Sequence, residues 1–94
     1  MENRETFREK VDARIEQLDA EIDLLKAKAR KVKAEAKLDA VNQIEKVDQK
    51  REGLRERMDE FKESGQEAWK DLQGGVNEAI RELEDSLEEA RSQF

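Results

Sequence analysis

The apolar residues of this chain recur at alternating steps of three and four from residue 7 onward. This spacing places them along one side of an α-helix, close to a heptad repeat, and no proline interrupts the pattern. We therefore predict a helix over residues 4 to about 63, roughly 90 Å long if unbroken. Its N-terminal half carries a self-association seam that consists of Phe7, Val11, Ile15, Leu18, Ile22, Leu25, Ala29, Val32 and Ala36.

The composition favours long helices over a compact globule. Of the 94 residues, 47% are charged, 35% are apolar and 4% are aromatic. A compact globule of this length needs more apolar material for its core, whereas a charged composition with a helical period is typical of coiled coils. We predict an all-α fold with a single domain over residues 1–94.

The stretch ESGQEAW, residues 63–69, contains the strongest stop signal. Ser64 and Glu67 have the spacing of a capping box, which marks the start of a helix, and Gly65 gives the backbone freedom to turn. We predict a turn at residues 64–65 and a shorter helix over residues 66–93, folded back as a helical hairpin. The alternative is a helix that continues through residue 65, since the apolar phase is kept across it.

The predicted C-terminal helix is the most clearly amphipathic part of the chain. Gly74 and Gly75 lie inside it, where they either weaken the helix or admit a close neighbour. Trp69 is interpreted as a plug at the hairpin end of the bundle, with a recognition anchor as the alternative. The amphipathic C-terminal face consists of Trp69, Leu72, Val76, Ile80, Leu83 and Leu87.

A basic stretch, KAKARKVKAEAK, covers residues 26–37. On a helical wheel one narrow face holds the basic stripe Lys26, Arg30, Lys33 and Lys37. The stripe is interpreted as an ordinary helix surface with acidic partners inside the assembly. Nucleic acid is not expected as a partner, because the chain has a net charge of −6 and no aromatic residue between positions 8 and 60. Contact with a membrane or another hydrophobic surface is a less favoured alternative.

The lengths of the two predicted helices leave part of the seam uncovered. Folded back, the shorter helix reaches only about residues 35–62 of the longer one, so the N-terminal half needs a second chain. Charge favours an antiparallel coiled-coil homodimer, because residues 24–37 have a net charge of +5 and residues 1–23 one of −4. A helix of another protein is the other candidate partner. A monomer would require the long helix to fold back near residues 39–42, into three similar arms.

The residue types in the sequence argue against catalysis and against transition-metal binding. The chain has no His, Cys or Tyr, the commonest bases, nucleophiles and transition-metal ligands, so we predict no enzyme, no cofactor and no metal site. Glu82, Asp85 and Glu89 would hold Ca²⁺ only weakly without a binding loop. The N-terminus has no apolar signal region and the chain no apolar run of membrane length. We expect a cytoplasmic protein.

Two stretches, LLKAKARKVKAEAK and AWKDLQGGVNEAIRELEDSL, resemble small bacterial coiled-coil proteins that have no agreed function. Those proteins combine a charged long helix, an Ala/Lys-rich centre and a tail of the form Ala-Trp-x-x-Leu-x-x-Gly-Val. The chain differs from them in its second glycine, Gly74, and in lacking a second tryptophan in the tail. A weaker resemblance to phasins and apolipoprotein-type helices rests on amphipathicity. The resemblance implies no catalytic or binding residues.

These features lead to a first functional hypothesis, a non-catalytic structural or scaffolding coiled-coil protein that acts through helix–helix self-association or partner binding. The second is a surface-coating protein whose C-terminal helix opens onto lipid, a polymer granule or a client protein. The third is a subunit of filaments in which helix ends overlap between dimers.

Overall fold

The structure, a computed structural model, describes residues 3–94. Over these residues the chain forms three α-helices and no β-strand. The helices are α1 (Arg4–Arg30), α2 (Lys37–Glu63) and α3 (Trp69–Gln93), and a short 3₁₀ segment covers Ala34–Ala36. The prediction of an all-α chain whose C-terminal helix packs against the preceding helix is confirmed.

The three helices pack side by side into a bundle that measures 51 × 17 × 17 Å along its principal axes. α1 and α2 run in opposite directions, as do α2 and α3, so α1 and α3 are parallel. Pairs of charged side chains connect the helices: Lys62–Asp12 and Arg51–Asp19 between α1 and α2, Lys50–Glu82 and Lys46–Glu89 between α2 and α3, and Arg14–Glu84 and Arg91–Glu21 between α1 and α3. Because these side chains are partly exposed, they help to set the helix order and contribute little stability.

The single helix predicted over residues 4 to about 63 is two helices in the structure, because the chain turns between Arg30 and Lys37. In a lone straight helix the N-terminal apolar residues would face water. The turn buries five of them, each worth about 1.5–3 kcal/mol: Phe7, Val11, Leu18, Ile22 and Leu25. The interrupted helix loses a few hydrogen bonds with a net worth of about 0.5–1.5 kcal/mol each. Burial therefore outweighs helix continuity, and the three-armed arrangement follows.

The turn lies at residues 31–36, not near residues 39–42. The basic stripe favours this place, since like charges three or four residues apart destabilise a helix by about 0.2–0.5 kcal/mol per pair. Lys33 is extended, with φ −65° and ψ 155°. The Nζ of Lys37 donates hydrogen bonds to the carbonyl oxygens of Ala29 and Arg30, at 3.3 and 3.2 Å. Lys37 thereby adds hydrogen bonds to carbonyls at the end of α1, where the regular donors four residues ahead are missing.

An aromatic cluster of Phe7, Phe61 and Trp69 closes the opposite end of the bundle, with one ring from each helix. The ring centroids of Phe7 and Phe61 are 5.2 Å apart, and Trp69 lies 6.3 Å from Phe7 and 6.4 Å from Phe61. Arg4 covers the cluster, with its guanidinium carbon 5.4 Å from the Phe61 ring centroid. The Nη2 of Arg4 also donates to the carbonyl oxygens of Lys62 and of Ser64, at 3.1 and 3.2 Å. Trp69 is thus a plug, as interpreted, and Phe7 is the ring that sequence reasoning did not place there.

The second turn covers residues 64–68, and the predicted capping box is not formed. The hydroxyl of Ser64 donates to the carbonyl oxygen of Phe61 at 2.6 Å, so Ser64 ends α2. α3 begins later, at Trp69, and Ala68 precedes it without a side-chain cap. Trp69, the first residue of α3, is buried against the two other rings. No described glycine has a positive φ, so the turn does not use the special freedom of Gly65.

Arg51 lies in α2 at a position where the spacing of three and four, from Val47 to Leu54, would place an apolar residue. Its Nε and Nη2 donate to the two carboxylate oxygens of Asp19 on α1, at 2.5 and 3.1 Å. These hydrogen bonds with Asp19 raise the pKa of Arg51 above its ordinary value, so the guanidinium stays charged. This half-buried charged side chain of α2 is therefore paired across the α1–α2 interface.

The self-association seam faces the inside of this bundle. Its larger members are buried or, like Ile15, half-buried, whereas Ala29 and Val32 are half-buried and Ala36 is exposed. One chain thus covers the stripe for which a second chain was expected. The antiparallel dimer stays a prediction, but the seam no longer requires it.

Light scattering after size exclusion, at low micromolar concentration, measures the oligomeric state. Because the seam is covered within the chain, we expect the monomer mass of 11.0 kDa. Twice that mass would support the antiparallel dimer predicted from the sequence, and would contradict a bundle that is complete as a single chain.

The paired glycines of α3 give a matched test of the helix packing. Gly74→Ala should raise the free energy of unfolding by about 1 kcal/mol, because alanine favours a helix interior and a Cβ at this position meets nothing within 4 Å. Gly75→Ala should raise the free energy of unfolding by less, because its Cβ would lie 2.6 Å from Nη1 of Arg57 and that side chain must move. Urea denaturation followed by circular dichroism measures both variants. A loss of stability in Gly74→Ala would contradict a continuous α3.

Candidate docking surface

The α1–α2 turn and the helix ends beside it form one end of the bundle, which we call the basic end and define as residues 24–41. It contains six basic and two acidic residues. α3 reaches this region only in part: its last ion pairs to the other helices, Arg91–Glu21 and Lys46–Glu89, lie on the bundle side of residues 24–41. The basic end therefore projects beyond the region that the acidic helix covers.

The basic residues of this end are poorly supplied with acidic partners. Lys26 pairs with Asp48 at 3.1 Å, and Lys37 is engaged with the carbonyls at the end of α1. The remaining four are exposed and form no ion pair with any residue between positions 3 and 94: Lys28, Arg30, Lys31 and Lys33. The interpretation that the stripe has acidic partners is thus fulfilled within the chain for Lys26 alone among the stripe's four residues.

Three residues of the predicted basic stripe come together around an apolar groove. Lys26, Arg30 and Lys37 line a groove of about 250 Å³ between α1 and α2. The apolar part of the groove consists of Ala29, Val41 and Ile44. Lys33, the fourth residue of the stripe, lies in the turn and does not line the groove. Side chains of α1 and α2 thus form one surface that has a basic part and an apolar part.

The exposed large apolar residues of the described chain all belong to the basic end. Leu24 is 65% exposed, Leu38 is 71% exposed and Val41 is 44% exposed. Sequence reasoning missed them as a group, because a leucine within a helical pattern is usually assigned to the core. The sequence feature that could have identified them is their position in the helical repeat, since Leu24 and Leu38 do not lie at seam positions.

The amphipathic C-terminal face does not form part of an accessible surface. Trp69, Val76, Leu83 and Leu87 are buried, and Leu72 and Ile80 are half-buried against the core. This face holds α3 against α1 and α2. A partner would reach it only after the bundle opened.

A second groove lies beside Arg51. It measures about 240 Å³ and is lined by aliphatic core side chains and by paired charges that include Asp19 and Arg51. It holds no hydroxyl or thiol. Across residues 3–94, no group of three or more His, Cys, Asp or Glu side chains is placed to hold a metal ion. None of the helices described here is long and apolar enough to cross a membrane.

The comparisons with protein-family models, with curated proteins and with solved structures find no match to this chain.

Two leucine substitutions compare the packing of a core residue with that of a residue at the basic end. Leu54 is 2% exposed, so Leu54→Ala should lower the free energy of unfolding by about 2–5 kcal/mol. Leu38→Ala removes the same atoms from a side chain that is 71% exposed. It should change the free energy of unfolding by less than about 0.5 kcal/mol. Urea denaturation measures both. A large loss in Leu38→Ala would mean that Leu38 is packed, and that the basic end is not free for a partner.

Proposed function

We propose that the chain is a cytoplasmic, non-catalytic helical protein that acts by binding a partner through its basic end. The observation that carries this proposal is the coincidence of exposed Leu38, Leu24 and Val41 with four unpaired basic residues at one end of the bundle. The rest of the bundle holds the helix ends that form the basic end.

The exposed side chains at the basic end are unfavourable in isolation. Water contacts most of Leu38, and burying a leucine fully is worth about 1.5–3 kcal/mol. The neighbouring like charges repel one another, and a partner that brings negative charge relieves this repulsion. A partner that covers Leu38 and carries negative charge would offset both costs.

This proposal retains partner binding from the first sequence-based hypothesis and changes its location. The seam of α1 is used inside the chain, so self-association along the seam is not needed for folding. The surface-coating alternative through α3 requires opening of the buried face, at the cost of separating Trp69 from Phe7 and Phe61. The basic end, in contrast, is accessible as it stands.

Site-specific photo-crosslinking in intact cells tests the proposal. A photo-reactive amino acid in place of Leu38 should form an adduct, because this side chain lies at the proposed interface. The same amino acid in place of Glu56, an exposed residue of α2 towards the aromatic end, is the matched control and should form none.

The adduct at position 38 should disappear when Lys28, Lys31 and Lys33 are changed to glutamine in the same chain. Equal adducts at positions 38 and 56, or an adduct that survives these changes, would show that the basic end does not select a partner.

A further inference from the structure

We propose that the partner of the basic end is an anionic lipid bilayer, onto which the bundle docks end-on. This inference rests on the proposed function, since it names the chemistry of the partner for the same surface. It requires no opening of the bundle and no membrane-spanning segment. It therefore differs from a coating role of α3.

The charge of the basic end calls for a partner with several negative charges. Residues 24–37 have a net charge of +5. Lys28 and Arg30 lie in the last turn of α1 and Lys31 and Lys33 lie in the turn that follows, and none of the four has an acidic partner in the described chain. Clusters of four to eight basic residues at the end of a helix are attracted to the phosphates of anionic lipids. The geometry here presents such a cluster on a projecting turn.

The exposed aliphatic side chains restrict the partner further. Leu38 and Val41 lie three residues apart on one face of α2, and both are exposed. A bilayer surface offers phosphates and, a few ångströms deeper, the start of its acyl chains, so it takes up lysine and leucine side chains together. Nucleic acid would neutralise the lysines, but it offers nothing to Leu38, and this end has no aromatic side chain to stack on bases.

A second copy of the chain is a poorer match. Residues 59–94, which include α3, have a net charge of −7 and would attract the basic end of another molecule. However, every exposed large apolar residue of the described chain belongs to α1 or α2 at the basic end. The acidic surface would therefore pair with the lysines and leave Leu38 and Val41 in water.

The acidic body of the bundle does not prevent this docking. The last acidic residue of α3 is Glu89, which pairs with Lys46, and Lys46 follows the first residue of α2 by nine positions. At 1.5 Å per residue, this carboxylate lies about 14 Å behind the start of α2. This distance exceeds the Debye length of about 8 Å at physiological salt. Repulsion between the membrane and the acidic body is therefore screened in the end-on orientation. It disfavours an orientation in which the 51 Å axis lies along the membrane.

Flotation of the full chain with vesicles tests the inference. Vesicles of equal parts phosphatidylglycerol and phosphatidylcholine should bind the protein at low salt, and added salt should weaken the binding. Vesicles of phosphatidylcholine alone should not bind it. No binding to the anionic vesicles, or equal binding to both kinds, overturns the inference.

Three variants locate the contact. Lys28→Gln, Lys31→Gln and Lys33→Gln together should weaken binding about a hundred-fold, since each lysine near an anionic surface contributes roughly a five-fold factor. Lys50→Gln, Arg55→Gln and Lys70→Gln together change the net charge equally away from the basic end and should have little effect. Leu38→Asn should weaken binding up to about ten-fold. Equal losses in the two triple variants would show that net charge, not the basic end, drives binding.

Trp69 distinguishes end-on docking from opening of α3. Trp69 lies at the opposite end, in the aromatic cluster, so its fluorescence and the helicity of the chain should not change when anionic vesicles are added. A shift in its emission would assign the binding to an opened bundle and overturn the inference. If vesicle binding fails while the crosslink at position 38 forms and depends on the three lysines, the lipid bilayer is not the partner. The proposal that a partner binds the basic end then still stands.

Discussion

The apolar side of α1 has to be covered, and the way in which it is covered determines the rest of the architecture. Within a single chain, only the remainder of that chain can cover this apolar side. The helix therefore ends at Arg30, and the chain reverses its direction. The break has to fall where few apolar contacts are lost. The segment from Ala29 to Ala36, in which the seam positions hold only small or β-branched residues, meets this condition. The turn therefore consists of the lysine-rich residues that lie there, and the basic end is a consequence of the fold.

Sequence patterns predicted the all-helical fold and the turn before α3, but they missed the turn at residues 31–36. The period of the apolar residues predicted the helices, and α3 with its buried face followed from the same pattern. The turn at residues 31–36 was missed because lysine and alanine favour helix locally, while the gain from burying Leu18 and Ile22 arises only in three dimensions. Ser64 also shows the limit of local signals: its spacing to Glu67 is that of a cap, yet its hydroxyl closes the preceding helix.

The candidate site was visible in the sequence only in fragments. The basic stripe was recognised on one helix, but the groove that it lines requires Val41 and Ile44 from a second helix. Leu38 was not distinguishable as an exposed residue, because exposure depends on where α3 ends relative to α2. Once the fold is known, the unpaired lysines and the exposed leucines occur at the same place. Their coincidence is a property of the tertiary structure.

The two ends of the bundle are closed in different ways, and local opening should follow this difference. Three aromatic rings and the guanidinium of Arg4 join all three helices at one end. At the other end two helices meet at a turn held by the hydrogen bonds of Lys37 to the end of α1. Backbone amides near the turn therefore exchange with solvent at a lower free-energy cost than those near the rings. The molecule has a gradient of rigidity along its long axis, with its most adaptable backbone at the end that carries the exposed leucines.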